Sequence, residues 1–279
     1  MLNLVLFLLG AFFTFTIFYS SMGVLPLYVA ALGGNEFDVG LQITLYYIAS
    51  VILRFYFGPL SDRKGRKLPL MIGAFAFGAS SLLFMFCNTI FQVTLARLFQ
   101  ALGLAAFFSS GGSLIADLAP LKRMGLYVSL FRMSSVTALL TGPAAALMVV
   151  HAHSYDAYFI LSALVGLISF LLIAMVKVPP LVYEEQEQEE EQFGFFKKFV
   201  LVLREKSSHQ ILFGISLVSL SYGLLLTFVV LFIAQEIHIA NPGLYFTYFG
   251  IISLVEPFYQ AFFPTAGGVG LLPGRRLLF

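Results

Sequence analysis

Gly58-Pro59-Leu60-Ser61-Asp62-Arg63-Lys64-Gly65-Arg66-Lys67 separates two long apolar runs and packs four cations into its last five positions. Gly58 leaves room for another helix to approach closely at a membrane edge. Asp62, one turn on, can accept hydrogen bonds or cap a neighbouring helix N-terminus. Gly65 permits a tight reversal of the chain. The four cations hold such a turn against an anionic cytoplasmic leaflet. A plain basic turn accounts for the charges but not for the order of these ten residues.

The rest of the chain puts this turn in a membrane. Of 279 residues, 59% are hydrophobic and 11% charged, and the mean hydropathy is +0.93. Soluble domains run at about 45–50% apolar and about 25% charged, so a water-soluble enzyme is excluded. Disorder is excluded by the same numbers. A spanning helix needs about 20 residues, or roughly 30 with its loop, which leaves room for eight or nine helices. The single cysteine, Cys87, can close no disulfide within the chain. No Cys/His spacing fits a metal; His151 and His153 read as polar loop residues. Without tryptophan, any aromatic belt falls to the 13 Tyr and 32 Phe. The start lacks the basic segment of a signal peptide and reads as a spanning helix that is retained.

Eight apolar runs follow in order: Leu4 to Val29, Val39 to Leu60, Leu68 to Phe86, Phe91 to Ala116, Met124 to Val150, Tyr158 to Val176, Ile211 to Ala234 and Leu244 to Phe263. In lipid each is expected to be a helix. Of the 16 basic residues, 13 fall in alternate loops: Arg63 to Lys67, Lys122 and Arg123, the stretch Lys177 to Lys206, and Arg275 and Arg276. The intervening loops carry Glu36, Asp38, Asp156 and Glu236 and no cation. The positive-inside rule therefore predicts a cytoplasmic N-terminus, linker and C-terminus.

The expected organisation is a six-helix bundle over 1–176, an acidic cytoplasmic linker over 177–209, two further helices over 210–263 and a divergent tail over 264–279. Within the linker, Glu184 to Glu191 reads as a solvated spacer between bundles. Phe195-Phe196-Lys197-Lys198-Phe199 beside it can rest on the anionic leaflet. Asn35 to Gly40 before Leu41 is echoed by Asn241-Pro242-Gly243 before Leu244, so helices 7 and 8 look like a second copy of helices 1 and 2.

The ten residues from Gly58 to Lys67 resemble the signature loop of the major facilitator superfamily, a large family of secondary transporters. Their order matches its pattern, Gly-x-Leu-Ser/Ala-Asp-Arg-x-Gly-Arg-Arg/Lys, in full. The resemblance implies an all-α membrane protein of two six-helix bundles. It also implies a gating loop formed by Gly58, Asp62, Arg63, Gly65, Arg66 and Lys67, which stabilises the outward-open state. Arg97-Leu98-Phe99-Gln100-Ala101-Leu102-Gly103 resembles the family's Arg-x-x-Gln-Gly-x-Gly motif, with Ala101 for a glycine. Arg97 and Gln100 share a helix face. Arg97 is either the coupling or substrate arginine of that motif or a side chain snorkelling to the outer headgroups. Thr141-Gly142-Pro143 resembles the core of the antiporter motif. Ala138, Gly142 and Ala146 make a small-residue stripe around the Pro143 bend. The alternative there is an ordinary kinked packing helix. Tyr19 in helix 1 is a further candidate substrate contact. Arg54 is expected to snorkel to the cytoplasm; Arg132 either snorkels or lines the cavity.

What the resemblance implies is transport of a small molecule, with proton-coupled efflux by alternating access and location in the plasma membrane. Its partners are the substrate, protons and the lipid bilayer, with no nucleic acid and no cofactor or metal. An intramembrane enzyme is set aside, because the only ionisable groups within the expected spans are Arg54, Arg97, Arg132 and Glu256. The repeat would place a second Gly58 at Ala261, where no such loop follows. The expectation is therefore a transporter truncated after helix 8, and the alternative function is a fragment with no transport activity by itself.

Overall fold

A computed structural model describes residues 2–120, 123–178, 206–237 and 241–255. Their regular structure is helical: α1 (Leu2–Ala31), α2 (Glu36–Lys64), α3 (Lys67–Met85), α4 (Ile90–Leu118), α5 (Met124–Ala152), α6 (Tyr155–Met175), α7 (Lys206–Phe232) with a π-helical turn at Ile233–Ile237, and α8 (Leu244–Ser253). Seven of these are long and apolar enough to cross a membrane, and α8 is a shorter apolar helix. At 1.5 Å per residue a helix of 29 residues such as α2 extends about 43 Å, more than the hydrocarbon thickness of a bilayer. The acidic run, the Phe195 to Phe199 segment, Lys122, Glu256 and the tail lie outside the described residues.

Several helices begin before their apolar runs, and capping is the reason. Asn35 accepts from the Asp38 backbone N–H at 3.0 Å, and Asp38 accepts from that of Asn35 at 2.9 Å, which starts α2 at Glu36. Thr89 and Gln92 repeat this reciprocal pattern at the start of α4, and Ser154 caps α6. Hydropathy finds the first apolar residue, whereas the helix begins at the polar residue that satisfies its free N–H groups. Asn241 acts differently at the second loop, accepting from Gly243 N at 3.0 Å.

Small residues set how closely the helices cross. α3 meets α6 at Gly78 and Gly166, where a Cβ on Gly78 would lie 3.1 Å from the Gly166 Cα and one on Gly166 would overlap the Gly78 backbone. Backbones can approach this way only without side chains between them. Gly166→Ala is expected to lower stability by about 1–3 kcal/mol through overpacking. Gly112→Ala, in open space on α4, serves as the control and should not destabilise. Thermal unfolding of both variants in detergent checks this, and equal melting points would contradict it.

Phenylalanines fill the seam between α1, α4 and α5. Phe7 stacks on Phe131 at 5.6 Å between centroids, and Phe15 meets Phe107 edge-on at 5.6 Å. Buried hydroxyls cross-link α1 to α6: Thr14 and Ser169 share a bond of 2.7 Å, and Ser169 donates to the Gly10 carbonyl at 2.8 Å. At one end, the Asn3 amide donates to the Lys177 carbonyl at 3.1 Å and accepts from its N–H at 3.4 Å. This clasp brings the start of α1 and the end of α6 together at the end that carries the basic turns. The opposite faces of α6 and α7 expose leucines such as Leu164, Leu167, Leu220 and Leu224, as lipid-facing surfaces do.

Candidate functional site

Two polar clusters interrupt this apolar bundle. The first is at the basic end. Gly65 ends α2 at φ +93°, a conformation that favours glycine, so the expected reversal is what the structure shows. The reversal swings Arg66 back over α2. Its guanidinium pairs with Asp62 one turn earlier and donates to Ser61 Oγ at 3.3 Å. It also reaches across to Asp117 on the last turn of α4 at 3.3 Å. Burial disfavours the Arg66 charge, but bonding to Asp62 and Asp117 outweighs burial and raises its pKa above the ordinary value. The result is a clasp between the α2–α3 turn and α4. Arg63 is exposed, and Lys67 opens α3.

One expectation about this loop changes. Gly58 meets nothing within 4 Å among the described residues, so no helix approaches it there. A glycine permits an approach without specifying a partner. Of the two roles open to Asp62, it takes the first: it accepts from the Arg66 side chain of its own turn and caps no neighbouring helix among the described residues. The sequence reading missed Asp117, which lies one residue beyond the apolar run but within α4. A carboxylate at the end of a span, opposite a basic turn, was the available signal.

The second cluster lies inside the bundle. Arg97 is 1% exposed, and Gln100 is fully buried beside it on α4. Arg97 Nη1 donates to Gln100 Oε1 at 2.6 Å and to Ser21 Oγ of α1 at 3.2 Å. Its guanidinium carbon sits 4.2 Å from the centre of the Tyr46 ring of α2, a cation–π contact. The side chain therefore turns into the α1, α2 and α4 interface and not towards a membrane surface. Arg97 Nε and Nη2, Gln100 Nε2, Tyr46 OH and both side-chain amide atoms of Gln42 are buried with no hydrogen-bond partner among the described residues. Gln42 and Tyr46 were not foreseen. A lone amide inside an apolar run was the sign available for Gln42. Arg54 and Arg132 are exposed.

Tyr19 bonds Ser135 of α5 at 3.1 Å, linking α1 to α5. The helix 5 residues form a packing junction. A Cβ on Gly142 would lie 3.1 Å from the Thr16 carbonyl, and one on Gly243 would lie 2.8 Å from the Pro143 carbonyl. Gly142 and Pro143 thus seat α5 between α1 and the start of α8. Ala138 and Ala146 of the stripe are buried too. Asn241 donates to the Ala144 carbonyl at 3.2 Å, and Thr247 to that of Leu140 at 2.9 Å. Thr247→Val is expected to cost about 0.6 kcal/mol, the usual worth of one interhelical bond in a membrane. Chemical denaturation in detergent reads this; a loss above about 2 kcal/mol would show a larger role.

The family model described as the Major Facilitator Superfamily matches residues 7–274. Multidrug resistance protein MdtG of Citrobacter koseri is 30% identical over 209 residues, covering 72% of this chain and 51% of that protein. An uncharacterised MFS-type transporter of Methanocaldococcus jannaschii is 24% identical over 165 residues, covering 59% and 42%. Among solved structures, the peptide transporter POT in complex with sulfate aligns with a TM-score of 0.66 at 14% identity, covering 92% of this chain and 67% of that one. A D-xylose–proton symporter aligns at 0.57 and 17% identity, covering 91% and 66%. At these identities the structural likeness speaks to fold alone. The chain spans about half the length of the curated relatives it matches.

Proposed function

Because the chain belongs to the Major Facilitator Superfamily, whose members are transporters and not enzymes, we propose that it carries a small molecule across a membrane by alternating access, as a proton-coupled exporter. The observation that supports this reading most is the Arg97 cluster. A charge buried within a span is costly and is held there where it lines a pathway or binds a partner. Arg97 and Gln100 are the residues we assign to the substrate or proton pathway, with Tyr19 as a further contact. The clasp of Asp62, Arg66 and Asp117 is assigned to gating. Gly58, Arg63, Gly65 and Lys67 complete the loop, and Gly142 and Pro143 are the pivot of α5. Export is favoured by that Gly-Pro core and by the relative named for multidrug resistance.

The same reading places 1–176 as the first bundle, 177–209 as a cytoplasmic linker, 210–263 as helices of a second bundle and 264–279 as a divergent tail. The basic end then faces the cytoplasm of a plasma membrane. A second reading, a folded chain without transport activity by itself, is favoured by the share of the relatives' length that it spans.

Flux in proteoliposomes under an imposed proton gradient tests the proposal. The probes are ethidium, an aromatic cation, and 2-naphthoate, an aromatic monocarboxylate. Gradient-dependent movement of either supports transport. Background movement of both, with folded protein, supports the second reading.

A further inference from the structure

The described interior holds a guanidinium and no carboxylate. Glu36, Asp38, Asp62, Asp117, Asp156 and Glu236 all lie at helix ends. Arg97 therefore has no acidic partner among the described residues. Every buried side-chain nitrogen or oxygen that lacks a partner among them belongs to Gln42, Tyr46, Arg97 or Gln100. The other buried side-chain nitrogens and oxygens among the described residues have partners, as in native proteins. The concentration of exceptions in one place marks a site.

The chemistry of these atoms identifies what they await. Arg97 Nε, Arg97 Nη2, Gln100 Nε2 and Gln42 Nε2 are N–H donors, Tyr46 OH can donate as well, and Gln42 Oε1 is the one pure acceptor among them. Gln100 Oε1 is already taken by Arg97, which leaves its amide nitrogen free. A donor-rich cluster around one cation suits an oxyanion of single charge. A dianion would bring a second buried charge with no cation to meet it.

The neighbours extend the site. Tyr47 follows Tyr46 at 5.2 Å between ring centres and is 37% exposed. It stands within electrostatic reach of Arg97 and Tyr19. Tyr222 of α7 is within reach of Tyr19, Tyr47 and Tyr245 of α8. Phe249 links the last two helices, 6.0 Å from Tyr222 and stacked 6.1 Å from Tyr245.

We propose that Arg97, Gln100, Tyr46 and Gln42 form the headgroup subsite for an organic carboxylate, whose aromatic body lies beside Tyr47. This deepens the transport reading and rests on it for calling the ligand a substrate. It makes the preferred cargo an amphipathic monoanion and not a lipophilic cation.

Equilibrium binding to the purified full chain in detergent tests the subsite, with benzoate as the probe and benzamide as its neutral match. Benzoate should bind at least about tenfold more tightly than benzamide, about 1.4 kcal/mol by the affinity relation. Arg97→Met should erase that preference and leave benzamide unchanged. Gln42→Leu gives a second reading that does not depend on Arg97. It removes two unpartnered buried atoms, so it should raise the melting temperature of the ligand-free chain while weakening benzoate severalfold. A merely structural glutamine would not split stability from affinity in this way. Equal binding of benzoate and benzamide overturns the proposal. So does an absence of benzoate binding to folded protein. So does displacement of benzoate by equimolar inorganic phosphate. Benzoate binding without flux of either probe sinks transport and leaves the subsite; flux without a benzoate preference does the reverse.

Discussion

Arg97→Met should bring gradient-driven flux to background while the protein stays folded and melts close to the parent chain. The two halves of this result have different causes. Arg97 is buried with two of its three nitrogens unpartnered among the described residues, so desolvation of its charge is poorly offset. Replacing buried charges with apolar side chains of similar volume is neutral or stabilising by about 1–4 kcal/mol in known cases. Freeing Gln100 Oε1 and Ser21 Oγ works against this, by about 1 kcal/mol each, so a net change within about 2 kcal/mol of zero is expected. Transport is lost because the only buried cation among the described residues is gone. Arg97→Lys keeps the charge but not the planar fork that spans Gln100, Ser21 and the Tyr46 ring, so partial activity is expected. Flux assays and melting curves on the same preparations read both halves. Retained flux with a lowered melting point would mean that Arg97 serves the fold.

The second large effect is expected at the clasp. Asp62 and Asp117 share one partner, Arg66. A partly exposed ion pair contributes only about 0.2–1 kcal/mol. A carrier poised between two states of similar energy still responds to that, with a population shift of up to about fivefold. Asp117→Asn should favour opening at the basic end, because it frees the α2–α3 turn from α4. Asp62→Asn should act the same way. The double variant should shift the population by less than the product of the single effects, since both carboxylates act through Arg66. Impermeant-maleimide labelling from each side, at a cysteine replacing Tyr47 in a Cys87→Ser background, measures the shift. Independent, multiplicative effects would show that Arg66 does not couple the two acids.

Much of this was legible in the sequence because lipid restricts the options. Hydropathy alone located every described helix to within a few residues at most ends, and the misses at α2 and α6 were capping segments. Gly65 was readable because a reversal between two spans demands a permissive residue. Arg97 and Gln100 were readable as a pair from their spacing. The partners were not readable. Asp117 and Arg66 are 51 positions apart, and their meeting depends on how α2, α3 and α4 pack. Tyr46 looks like any aromatic in a span until the packing of α2 on α4 brings its ring to Arg97. Gly58 shows the converse: the sequence allowed a close approach, and among the described residues nothing takes it.

Two-sided labelling of the cysteine at position 47 tests alternating access around the Arg97 site most directly. In sealed vesicles of uniform orientation, the account predicts labelling by an impermeant maleimide added from either side, with the ratio of the two rates changing when the proton gradient is imposed. Labelling from one side only, whatever the gradient, would contradict it.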